Sequence, residues 1–245
     1  MPEGIRQGNQ VKTATQVTDR IAGAFDLASQ ATGTSFDYLL KTSTRESDNQ
    51  PAAAAQTSTA KGLFQFVDQT WLGLVKREGP AVGLDKLANQ IVPDGKGGWT
   101  VKDLTEKTKI LSLKSDPLVA SFMAGRFTQD NARQLKESLG RDASDGELYA
   151  AHVLGASGAL KLMRIAKSEP NATAATIFPR AAAANSDLFY GNGGTPRTAS
   201  DLLGRLTKSH DVTQDPTAAR IAEAHAALAG HTAGKSRSEE HTSEL

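Results

Sequence analysis

The chain contains no cysteine, which excludes disulfides, thiolate metal sites and a cysteine nucleophile. It has no excess of charge either: 28 basic side chains stand against 27 acidic ones, and a net charge of +1 calls for neither nucleic acid nor an anionic membrane as partner. No apolar run approaches the roughly 20 residues of a membrane-spanning helix. The polar start, residues 1–15 with Gly4 and Gly8, is expected to be flexible and lacks the basic-then-apolar pattern of a secretory leader. The histidines, His152, His210, His225, His231 and His241, lack the paired spacing of a zinc site. Gly191-Asn192-Gly193-Gly194 follows no predicted strand and fits a turn better than a phosphate loop, so neither metal nor cofactor is expected. Strand-like alternation never lasts more than a few residues, and no internal repeat is found.

What is present is helical pattern, in a chain of 245 residues that is 38% hydrophobic and can bury one substantial core. The fold class predicted is mainly α. Residues 16–30 carry Val17, Ile21, Phe25 and Ala28 at helical spacing. A second helix starts near Ser35, with Ser35 or Thr34 as cap and Phe36, Leu39, Leu40 and Ser43 on one face. Residues 51–59 read as a small-residue loop, and Asp68 as the cap of a helix with Trp71, Leu72 and Val75 that stops near Gly79-Pro80. Residues 82–114 look like a loop-rich insertion around the turn cluster before Trp99. Asp116-Pro117 opens a helix with Leu118, Phe122, Met123 and Phe127 on its apolar face. Further helices are predicted over 145–154, 159–166, 198–206 and 218–228. The domain reading is a main domain over 16–170, a small helical extension over 171–230 and a disordered tail over 231–245. The last nine residues, from Arg237, match the translation of a common sequencing-adapter oligonucleotide and are expected to be read-through; genomic sequence continuing through those codons would end that idea.

Glu46 stands out. The period of the second helix places Glu46 and Ser47 on the face of Phe36, Leu39, Leu40 and Ser43, just before the glycine-punctuated Gly62-Leu63-Phe64-Gln65-Phe66. A carboxyl in apolar surroundings keeps its proton to higher pH and can donate it, whereas a helix-end glutamate turned to solvent does neither.

The order Arg45-Glu46-Ser47, a small-residue loop, Ala60-Lys61-Gly62-Leu63-Phe64-Gln65-Phe66 and Thr70-Trp71 resembles the lytic transglycosylase family that contains the soluble enzymes and goose-type lysozymes. In that family an E-S pair ends one helix and a G-L-[MF]-Q element lines the cleft opposite. Ala151-His152-Val153-Leu154-Gly155 occupies the place of the family's A-Y-N-x-G element, and Asp116-Pro117 opens the helix before it. The similarity runs from about Thr34 to Leu162. Departures are His152 for the usual tyrosine, Val153 for asparagine, Asp48-Asn49-Gln50 in place of a loop ending in asparagine-proline, and Ala120 where asparagine is common. They are similar to a divergent branch dedicated to flagellar or secretion-apparatus assembly.

The resemblance implies a lysozyme-like helical domain that cleaves the MurNAc-β-1,4-GlcNAc bond of peptidoglycan and leaves a 1,6-anhydro end. Glu46 would be acid and then base, with Ser47, Gly62, Phe64, Gln65, Tyr149 and His152 around the sugar. The expected cleft lies between the Glu46 helix, the G-L-F-Q-F element and the Tyr149 helix. Two-carboxylate hydrolysis needs a second acid about 5–10 Å away, and the nearest in sequence, Asp48 and Asp68, suit a far-side position and a helix cap. The alternatives are a hydrolytic muramidase and an inactive glycan-binding or structural module of an envelope-spanning apparatus or phage tail. The expected partner is the glycan strand, the expected place the periplasm or cell envelope, and the expected state a monomer.

Overall fold

The computed structural model describes residues 3–208 and 215–240, and the side chains of 15–208 and 215–228. Met1 and Pro2 of the expected flexible start, His210, and the adapter-like residues from His241 onward lie outside the described residues. Helices dominate, as the sequence predicts, and among the described residues none is long and apolar enough to cross a membrane. The chain divides into two compact units, one of residues 1–54, 60–125 and 211–245, the other of 55–59 and 126–210. These boundaries differ from the expected 16–170, 171–230 and tail over 231–245: one cut falls after Gly125, within the helix Pro117–Leu139, and the last helix, Pro216–Glu240, is grouped with the first two.

In the first unit, α1 (Glu3–Thr32) begins well ahead of the expected Gln16. Ile21, Ala22, Ala24, Phe25 and Ala28 are buried, while Val17, expected on the same face, is largely exposed. α2 (Phe36–Ser47) starts at Ser35, whose hydroxyl accepts the Tyr38 N–H at 3.2 Å and so satisfies one of the orphan donors of the first turn. α3 (Asp68–Glu78) is capped by Val67 without a side-chain bond, so Asp68 is not the expected cap. Trp71 is wholly buried and its indole Nε1–H donates to the Ile110 carbonyl at 2.8 Å.

The stretch 82–114 is more ordered than a loop-rich insertion. It contains α4 (Asp85–Gln90), the antiparallel pair β1 (Ile91–Pro93) and β2 (Trp99–Val101), and α5 (Leu104–Ser112). Strands of three residues are too short to show alternation, which is why the pattern reads as irregular. The turn between them is closed by Asp94, whose carboxylate accepts the Lys96 and Gly98 backbone N–H groups. Those two donors hold the Asp94 carboxyl below the usual carboxylate range.

α6 (Pro117–Leu139) opens as predicted, with Asp116 accepting the Leu118 and Val119 N–H groups and proline in the first turn. Ala120, Phe122, Met123 and Ala124 carry its burial, whereas Leu118, at the entry turn, is 48% exposed. α12 (Pro216–Glu240) packs against α1 and α2. Its His225 ring stacks on Phe36 at 3.8 Å between centroids and lies 3.4 Å from the Asp26 carboxylate.

In the second unit, α7 (Asp145–Ser168) is two helical pieces joined at Gly155, whose φ of 72° no helix contains. The expected helices over 145–154 and 159–166 are those pieces. The alanine-rich stretch after it forms the short α8 (Ala174–Ile177), α9 (Pro179–Ala184) and α10 (Ser186–Phe189). α11 (Ala199–Thr207) begins with a Thr198–Asp201 capping box and lays Leu202 and Leu206 on α7.

Candidate functional site

The end of α2 is built by its own residue types. Asp48 and Asn49 both take left-handed backbone, φ 50° and 59°, which Asp and Asn tolerate better than other residues with a β-carbon. The helix stops there, with the Asp48 and Asn49 N–H groups turned back onto the Thr44 and Ser43 carbonyls. Asn49 is 2% exposed, and its Nδ2 donates to Thr44 Oγ1 at 2.9 Å, so the asparagine locks the turn from inside. Its Oδ1 and the Ser43 hydroxyl are buried with no hydrogen-bond partner among the described residues. Nothing in the local pattern singled out Asn49; an asparagine directly after a helix end is the available signal.

Glu46 lies on this last turn and is partly buried. Enclosure in apolar surroundings, as the helical period suggested, is therefore incomplete: its near neighbours along the face, Ser43 and Ser47, are hydroxyl-bearing and more deeply buried than the acid. Ser47 Oγ reaches the Ser43 carbonyl at 3.1 Å and, sixteen residues on, the Leu63 carbonyl at 2.9 Å. That second contact fastens the G-L-F-Q-F element to the end of the Glu46 helix. Ser47 is thus spent on backbone.

The element itself is a tight double bend. Lys61 bridges Ala54 on one side and Phe66 on the other. Gly62 has φ 82°, and a β-carbon there would overlap the Lys114 carbonyl. The close approach that requires glycine comes from the protein's own backbone; an approach by sugar, expected from the sequence, is not what the residue type answers to. Phe64 is 1% exposed and packs on Phe25 and Phe66, and Phe66 packs on Trp71. Both phenylalanines are core, whereas the resemblance led to Phe64 being expected beside the sugar. Gln65, with φ 47°, folds back so that its Nε2 donates to the Gly62 carbonyl at 2.8 Å and the Ala53 carbonyl at 3.3 Å. Both amide hydrogens are used, and the remaining capacity of Gln65 is its acceptor oxygen.

Of the acids nearest in sequence, Asp48 is exposed at the left-handed helix end, and Asp68 pairs with Lys114 at 2.6 Å. Lys114 is 3% exposed and was not visible as a candidate in the sequence. Trp99 is partly buried with its indole against Gly73 of α3, rather than free to stack on a sugar.

Tyr149 and His152 lie in the second unit, on one face of α7 as their spacing predicts. Their rings are nearly parallel at 6.0 Å, and Phe127 of α6 meets His152 edge-on at 5.9 Å. Tyr149 is 8% exposed, so it serves the core of this unit as much as any surface. At the start of the same helix, Glu147 receives two bonds from the Arg141 guanidinium, at 2.7 and 2.8 Å, and one from the Ser144 N–H. The Arg141 pairing, with the Ser144 cap, pulls the Glu147 carboxyl down to about 2. No protein-family model matches the chain.

Proposed function

We propose that this chain is a peptidoglycan lytic transglycosylase with a lysozyme-like catalytic domain, acting at the cell envelope on the MurNAc-β-1,4-GlcNAc bond. The observation that carries the reading is the 2.9 Å bond from Ser47 to the Leu63 carbonyl, which fastens an E-S helix end to a G-L-F-Q-F element. Together with the order of the later Asp116-Pro117 and Ala151–Gly155 motifs, that proximity of the two elements supports the reading.

In this reading Glu46 delivers its proton to the leaving glycosidic oxygen as the C1–O bond breaks. The N-acetyl oxygen of the muramic acid residue supports the anomeric carbon meanwhile, taking the place of a second carboxylate. Glu46, now a carboxylate, accepts the proton of the C6 hydroxyl, and O6 closes onto C1. The acid ends as it began and no water is consumed. Engagement of Asp68 by Lys114 and the exposed position of Asp48 both favour a single-acid route. The Gln65 acceptor oxygen suits the N–H of an N-acetyl group.

Digestion of purified peptidoglycan followed by mass spectrometry tests this. Fragments ended by anhydro-muramic acid, one water lighter than hydrolysis products, are the expected outcome, and Glu46→Gln should lower their rate by about 10²–10⁴-fold. Hydrated ends would replace the transglycosylase by a muramidase, and full activity of Glu46→Gln would remove the acid from the mechanism.

A further inference from the structure

Lysine is rarely buried, because an ammonium ion withdrawn from water must be compensated by a partner of opposite charge. Lys114, in the tight turn Leu113–Ser115 just before α6, is 3% exposed and meets that requirement with Asp68 Oδ1 at 2.6 Å. Asp68 is the first residue of α3 and marks the far end of the G-L-F-Q-F element. The near end of the element is Gly62, and the Lys114 carbonyl lies so close over its α-carbon that no side chain fits. One residue therefore touches both ends of segment 62–68, by its backbone oxygen at one and its ammonium at the other.

The segment between those points is not at rest by itself. Gln65 is a residue with a β-carbon at φ 47°, a left-handed conformation that persists only where the surroundings impose it. Its amide is turned inward onto the Gly62 and Ala53 carbonyls, and the Leu63 carbonyl is held by Ser47. A stabilising role alone accounts poorly for a pair whose lysine is 3% and aspartate 27% exposed, since an apolar pair of similar volume commonly stabilises as well or better.

We propose that Lys114 is a positioning residue that grips segment 62–68 at both ends and so sets where the Gln65 amide stands; that this matters for turnover rests on the transglycosylase reading above. Lys114 takes no part in bond making. Its contribution is that the element cannot slide or unbend relative to the end of the Glu46 helix to which Ser47 ties it.

The test is the full chain carrying Lys114→Met together with Asp68→Leu, which removes both charges of the pair at once. Thermal unfolding should stay within a few degrees of the parent chain. Hydrogen exchange followed by mass spectrometry should show the peptide covering 62–68 exchanging about ten-fold faster or more, and kcat on peptidoglycan should fall about ten-fold with KM changed less than about two-fold. Protection of 62–68 equal to that of the parent overturns the grip, and faster exchange with unchanged kcat overturns its role in turnover. Asp68→Asn gives a second reading if the double variant folds poorly: it turns a charge-assisted bond into a neutral one, and about two- to five-fold faster exchange is expected, identical exchange being contrary. A parent chain that releases no muropeptides defeats the functional reading, while the exchange comparison still decides whether Lys114 holds the segment.

Discussion

At the scale of single residues, Gly62 shows how a motif position can be right and its reason different. The sequence marks it as the glycine of a G-L-F-Q element, and two physical requirements are visible in the fold: φ 82° and a carbonyl oxygen packed where a β-carbon would be. Gly62→Ala meets both penalties, and we expect it to cost about 3 kcal/mol or more, seen as a lower urea midpoint with unchanged m-value. A loss under about 1 kcal/mol would mean that the Lys114 turn yields easily. Phe64 teaches a similar lesson: its spacing from Phe66 says nothing of whether either ring faces sugar, and both are core. Glu46 was legible as a position on a helical face, yet its degree of burial was not, because burial depends on what the rest of the fold lays over that face.

At the scale of elements, the helices that read correctly are those whose ends carry a chemical signature. Ser35 before α2, Asp116-Pro117 before α6 and Gly155 within α7 each satisfy or break backbone hydrogen bonding locally, and each is placed as the residue type predicts. The start of α7 also makes a pH prediction. The free carboxyl of Glu147 titrates near 4.5 and the folded one at about 2, so the Arg141–Glu147–Ser144 cap contributes its full stability above about pH 4.5 and loses it as pH falls toward 2. Allowing for the exposed guanidinium, the loss should be about 1–2 kcal/mol between pH 5.5 and 2.5. Urea titrations at those two pH values on the parent and on Glu147→Gln check it: the variant should lose less on acidification, and parallel losses would remove Glu147 from the acid response. Elements without end signatures fared worse. α4 has barely more than a turn, and β1 and β2 pair over three residues each, so nothing periodic exists to be read.

At the scale of the whole molecule, the chain returns to its beginning. α12 buries Ala218 and Ile221 and stacks His225 on Phe36, which makes the last helix part of the first unit rather than of an extension. A chain ending at Lys208 should therefore unfold roughly 5–10 °C lower, with amides of α1 and α2 exchanging faster; an unchanged melting curve would show that α12 is dispensable. By itself the sequence determined the mainly helical class, the caps and breaks of the longer helices, and the order of motifs that puts an acid before a glycine-bearing element. These follow from contacts three and four residues apart and from backbone preferences, which the sequence writes locally. Only the tertiary structure decided that Ser47 reaches Leu63, that Lys114 pairs with Asp68 across 46 positions, that Phe64 points into the core, and that α12 closes on α1 and α2. Such pairings are chosen by the packing of the whole chain against water, and no window of sequence contains both partners.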